Sequence, residues 1–182
     1  MSGYALEYDA AVWRALPTAD RAAAFALDLD EELRRERPDL TEVELTALRE
    51  TAERAAASRP RDASESFLFL PVDVGGIGIA HLSVVVPGAD EVYDASDVVA
   101  AATDALLPPT LTEVDVAGLG RGHRVLTVAP GGDELPSARV EYLFTGGPAV
   151  LLVSALARSV RDAALMAAAL DELLASFRWQ EG

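Results

Sequence analysis

Two β-prone runs, Arg139-Val-Glu-Tyr-Leu-Phe144 and Ala149-Val-Leu-Leu-Val-Ser-Ala-Leu-Ala157, are joined by Thr145-Gly-Gly-Pro148 and run into the Ala/Leu-rich segment Val160–Phe177. This stretch decides the fold. Glycine supplies positive φ and proline cannot donate to a ladder, so the join is read as a turn. In the first run Val140, Tyr142 and Phe144 share one face, while Glu141 and Leu143 share the other. The second run has almost no polar alternation, which predicts a central strand covered on both faces. Ser159 is the expected N-cap of the helix that follows, with Asp162 three residues on. Val160, Ala163, Ala167, Leu170, Leu174 and Phe177 form its apolar stripe. Trp179 ends the element with a large apolar surface and one N–H that needs an acceptor.

Composition bounds the function. At 182 residues the chain is expected to form one domain, or one domain with a helical extension. It has no Cys, which excludes disulfides and thiolate metal sites. Its N-terminus lacks a basic region followed by an apolar one, so no signal peptide is expected. No apolar run reaches the length of a membrane span. The expected location is cytoplasmic. Every basic residue is Arg, and the net charge is −15. Up to Pro60 there are 13 acids and 8 Arg, and beyond it 17 and 7. Neither part is basic, so nucleic acid and anionic membranes are repelled. The charge serves solubility, or it meets a basic partner.

Outward from the hairpin, the chain reads as helices first and strands later. Leu6–Leu16 is expected to begin a short helix, with Trp13 as a packing residue. A helix follows from Thr18 or Asp20 to about Arg37, with Phe25, Leu29 and Leu33 inward. Pro38-Asp39 breaks it. Thr41 and Glu44 make a capping box, with Leu40 and Leu45 as a hydrophobic staple, and this helix runs to about Ser58. Residues 1–60 are therefore expected as a helical extension packed on an α+β domain at 61–182. In that domain Phe67–Val74 and Ile79–Val86 are strands, with Pro71 marking an edge or bulge. A helix capped by Asp94 or Ser96 is expected to reach Leu107. Leu111–Val116 alternates with Glu113 and Asp115 outward, and His123–Ala129 is the next strand. Pro130–Pro136 is a polar loop.

Little of this carries chemistry. His81 and His123 have no partner nearby in sequence, and they read as structural. Ser154 lies within a strand and not in a nucleophile elbow. Gly75-Gly-Ile-Gly78 and Gly118-Leu-Gly-Arg-Gly122 precede no helix, and no Lys is available for a phosphate loop. Both read as turns, though Arg121, His123 and Arg124 could bind a small anion beside the second. No catalytic, cofactor or metal residues are expected.

The order from Phe67 (two strands, a helix, four strands, a helix) resembles the Mog1/PsbP-like fold. The resemblance covers about residues 66–182. It is carried by the Val114–Ala129 strand pair around a Gly turn, the Val140–Leu156 hairpin, and the closing Ala169-Leu-Asp-Glu-Leu-Leu-Ala-Ser-Phe-Arg-Trp179. Small actinobacterial proteins often end in such a helix. The resemblance implies an α/β/α sandwich and a binding or assembly factor in place of an enzyme. The helical hairpin at residues 1–60 departs from that fold's usual entry.

The resulting expectation is an α+β fold with an antiparallel sheet of five or six strands, packed helices and an N-terminal helical hairpin. The expected function is non-catalytic protein binding through an acidic surface made of Asp90, Glu91, Asp94, Asp97, Glu113 and Asp115, with a basic protein partner. A second copy of the chain, docked through exposed apolar residues of the helical hairpin, is the rival partner. The alternative function is a small-ligand binder, or a carboxylate/His-dependent hydrolase with a pocket at the sheet.

Overall fold

The computed structural model describes residues 3–71, 74–131 and 136–180. The elements are β1 (Gly3–Ala5), β2 (Trp13–Ala15), a 3-10 turn (Ala19–Arg21), α1 (Ala22–Glu36), α2 (Glu42–Ala57), β3 (Glu65–Phe69) and β4 (Gly78–Val85). They continue with α3 (Ala95–Ala101), β5 (Thr110–Val116), β6 (Gly120–Ala129), β7 (Ser137–Phe144), β8 (Val150–Ala157), α4 (Val160–Ala175) and β9 (Arg178–Gln180). The fold is α+β, and the strand pairings are antiparallel. Seven strands lie in the order β2-β3-β4-β8-β7-β6-β5, and β1 pairs with β9 in a separate ladder.

The seventh strand is β2, where a short helix was expected. Asp9 tightens the chain instead, its carboxylate accepting from Ala11 N–H and its carbonyl from Trp13 N–H. Trp13 then packs 5.1 Å from the Phe69 ring and 6.1 Å from Phe67, centroid to centroid. Burying three aromatics outweighs the weak helix preference of a short segment. The first sixty residues therefore contribute strands to both ladders as well as a helical hairpin. Residues 72–73 of the expected strand Phe67–Val74, and residues 132–135 of the expected loop, lie outside the described residues.

The helix signals have local causes. Thr41 and Glu44 form the reciprocal capping box of α2, and Ser159 Oγ accepts from Asp162 N–H at the start of α4. On one sheet face, α4 and Phe177 bury against alternate residues of β3, β4, β7 and β8, including Phe67, Leu82, Tyr142, Phe144, Leu151 and Val153. On the other face, α1 and α2 cover Leu68, Leu70, Ile77 and Ile79 at one end of the sheet. There α3 covers Leu143, Val150 and Leu152 nearer the other end. Of the core expected from the sequence, Leu29, Phe69, Leu82, Val125, Leu143, Leu151, Val153, Leu170 and Leu174 are buried. Phe25, Leu48, Val84 and Val114 are half-buried and pack against that core.

Three further expectations change. β8 is covered on both faces only over its first half: α3 covers Val150 and Leu152, but Ser154 is exposed and Leu156 is 49% exposed, because neither helical cover reaches them. α3 stops at Ala101 and does not run on to Leu107. Beyond it Arg139 binds Asp104, and Leu106 N–H donates to the Val128 carbonyl, drawing the chain across β6. The Gly147 position is set by space and not by φ. Positive φ is found at Gly75, Gly76, Gly118 and Gly120, whereas a Cβ at Gly147 would overlap the Trp179 indole. That indole Nε1 is buried without an acceptor among the described residues.

Candidate functional site

The face that α4 leaves free carries most of the polar groups. Register places Ser66, His81, Ser154 and Glu141 side by side on β3, β4, β8 and β7. Paired residues in adjacent antiparallel strands point to the same face, so these four form one row. Ser66 is 1% exposed, and its Oγ lies 2.8 Å from His81 Nδ1. Burial holds the His81 pKa below the usual imidazole range, with the Arg59 charge adding to the effect. A neutral His81 bound to a buried hydroxyl is a packed, satisfied group. Among the described residues it has no hydrogen bond to Asp or Glu of the kind that orients a catalytic imidazole.

Beside this row, α3 and the strands β7 and β8 enclose a cleft of about 450 Å³. Its apolar lining includes Val98, Leu143 and Leu152, and Tyr93 stands at its wall. Asp94, Asp97 and Glu141 bring three carboxylates to it, and Arg139 brings one cation. Arg139 is already paired with Asp104. Glu141 differs from Asp94 in the direction of its shift. Burial pushes its carboxyl above the ordinary Glu range, and the neighbouring Arg139 only partly offsets this.

The six acids expected at a partner surface fall into three settings. Asp94 is the N-cap of α3: its carboxylate accepts the Ser96 N–H at 2.7 Å, which lowers its pKa, with His123 contributing weakly. Asp97 lies in the first turn of that helix, where the helix dipole favours a carboxylate. Asp90 and Glu91 are exposed on the preceding loop, and Glu91 accepts the Gly88 N–H at 3.0 Å. Glu113 faces across to His123 on the same sheet face, while Asp115 lies opposite Arg121 near the end of that hairpin. Asp94 and Asp97 thus line the cleft, Asp90 and Glu91 lead into it, and Glu113 shares its face. Asp115, two residues on from Glu113, lies on the same face by alternation, with Arg121 opposite it. The anion site considered at Arg121, His123 and Arg124 does not form: alternation sends His123 to this face and Arg124 to the other, where it binds Asp171. Gly122 is small because Phe144 and the Leu143 carbonyl crowd it.

Glu141 and Tyr93 were not singled out from the sequence. The available signal was a lone Glu within an apolar hairpin, on the same face as Leu143. A second cavity, about 510 Å³, lies between α2 and the β4–β8 pair, lined by Leu48, Thr51, Arg54, Ile79, Leu156 and others. Among the described residues, no group of three or more His, Asp or Glu could hold a metal ion. No helix of the described residues is long and apolar enough to cross a membrane. In sequence comparisons no family model matches the chain, and no curated protein matches it either.

Proposed function

We propose that this chain is a non-catalytic binding or assembly factor that meets a basic protein partner through its acidic α3 face. One observation carries this reading: an apolar cleft whose lining includes Asp94, Asp97 and Glu141, with Asp90 and Glu91 on the loop leading into it. Val92, 85% exposed beside these acids, adds apolar surface to the same patch. An acidic rim speeds the encounter with a positive partner, and the apolar centre supplies the contact area. The net charge of −15 acts in the same direction at long range. An antiparallel sheet carrying helices on both faces is compatible with the Mog1/PsbP-like resemblance and the binding roles it implies. The cytoplasm is the compartment we assign.

A peptide array graded in net charge, probed with the labelled protein at low and physiological salt, tests the reading. Binding should rise with positive peptide charge, fall as salt screens the contact, and be lost in the triple variant Asp90→Arg, Glu91→Arg, Asp97→Arg. These positions leave the Asp94 cap intact. Binding indifferent to peptide charge, or unchanged in the triple variant, would refute it.

A further inference from the structure

We propose that the cleft between α3 and the β7–β8 pair is the seat of a single arginine side chain of the partner, with Glu141 as its counter-charge. This rests on the acidic-face reading and makes it specific. A carboxylate rim alone would attract any cation, so the choice of occupant comes from the interior. Leu143, Leu152 and Val98 offer an apolar floor for a long aliphatic stem. Tyr93, half-buried at the wall, places an aromatic ring in the lining, the residue type on which a flat cation stacks. Glu141 lies within the cleft lining, on a strand flanked by two others, and accepts no hydrogen bond to its side chain among the described residues.

Guanidinium fits this combination better than ammonium. It is planar, stacks on aromatic rings, sheds water more readily and presents a fork to a carboxylate. The cleft is of the size that takes one such side chain with room for water. The one cation already present does not block it. Arg139 is held by Asp104, leaving Asp94, Asp97 and Glu141 as the net charge that an occupant meets. A free anion is disfavoured by the same count, and a neutral ligand would leave Glu141 with only the partial compensation of Arg139, which Asp104 already engages.

Glu141 also gives the site a signature that a generic acidic surface lacks. Its carboxyl is held above the ordinary Glu range by burial. The groups facing it are Arg139 on its own strand, Asp94 and Asp97 from α3, Ser154 on β8, and His123 on β6 with Glu113 opposite it on β5; Asp104 neutralises Arg139, and His81 lies one strand beyond Ser154. A bound guanidinium favours the ionised carboxylate and so lowers its pKa. Affinity is therefore full above the free-state pKa and is lost as pH falls through it, at a higher pH than ordinary surface carboxylates would show.

The test is an NMR titration of the full chain with three capped tripeptides, acetyl-Gly-X-Gly-amide, in which X is arginine, lysine or the neutral isostere citrulline. The arginine peptide should shift the Tyr93, Leu143 and Leu152 signals and lower the Glu141 carboxyl pKa, and citrulline should do neither. Glu141→Gln should weaken arginine binding roughly tenfold or more, as expected for loss of a charged hydrogen-bond partner, while Glu53→Gln, exposed on α2 away from the cleft, leaves it unchanged. Tyr93→Leu, which keeps the apolar bulk, should weaken arginine more than lysine. Equal binding of citrulline, or no effect of Glu141→Gln in a variant that melts normally, overturns the arginine seat. If in that case the triple charge reversal still abolishes salt-dependent binding to basic peptides, the acidic-face reading stands and only the seat falls.

Discussion

Ser66 Oγ and His81 Nδ1 lie 2.8 Å apart on neighbouring strands, 15 residues apart in sequence. The pair explains why a histidine is tolerated in the middle of a sheet. Removing the hydroxyl leaves a half-buried ring nitrogen unsatisfied, so Ser66→Ala should cost about 1–3 kcal/mol in urea unfolding at neutral pH. The depressed His81 pKa adds a pH dependence. Its folded-state pKa lies below its unfolded value, so its contribution is complete above about pH 6.5 and is lost as pH falls through the folded value. Stability should decline from pH 7.5 to 5.5 in the native chain and decline less in His81→Gln.

Glu141 makes the opposite contribution. Its folded-state pKa is raised, so its favourable effect is complete below the unfolded Glu value, about pH 4.3, and is lost as pH rises through the folded value. At neutral pH the ionised group therefore costs stability. Glu141→Gln should raise the melting temperature at pH 8, and the gain should vanish near pH 4. The same carboxylate lines the cleft, as the binding role proposed above requires. No gain at pH 8 would show that the carboxylate is already compensated in the free chain.

The two faces of β8 should respond unequally. Leu151 is fully buried against α4 and its neighbours, and Leu151→Ala should cost about 2–5 kcal/mol. Leu156 is about half exposed on the open face, and Leu156→Ser should stay within about 1 kcal/mol. Chemical denaturation of both variants checks this. A large loss for Leu156→Ser would mean that the open face is covered in solution.

Gly147 is held small by Trp179. Gly147→Ala should force the indole aside, because a Cβ there overlaps its ring. The expected cost is about 1–3 kcal/mol, as for other overpacked sites. Loss of amide protection should concentrate in the β1–β9 ladder, which Trp179 belongs to through its pairing with Tyr4. Protection lost evenly over the whole sheet would contradict a local role for this contact.

Short-range physics made several elements legible in the chain itself. The Thr41/Glu44 box, the Ser159 cap and the strand alternation of β7 follow from neighbours within four residues. Asp94 and Asp97 were legible as acids at a helix start for the same reason. The hairpin around Thr145–Pro148 and the antiparallel character of the sheet follow from short Gly/Pro joins.

Long-range pairing decided the rest. Trp13 became a strand residue because Phe67 and Phe69 receive it, some 55 residues later. α3 ended early because Arg139 and Val128 capture the chain beyond it. The cleft brings Tyr93 and Asp97 against Glu141 and Leu152, and only strand register with helix docking places them together. Composition and periodicity determine which residues seek burial and which local structure they adopt. They do not determine where two helical covers stop on a seven-stranded sheet, which depends on packing between distant segments and left Ser154, Leu156 and the acidic cleft open.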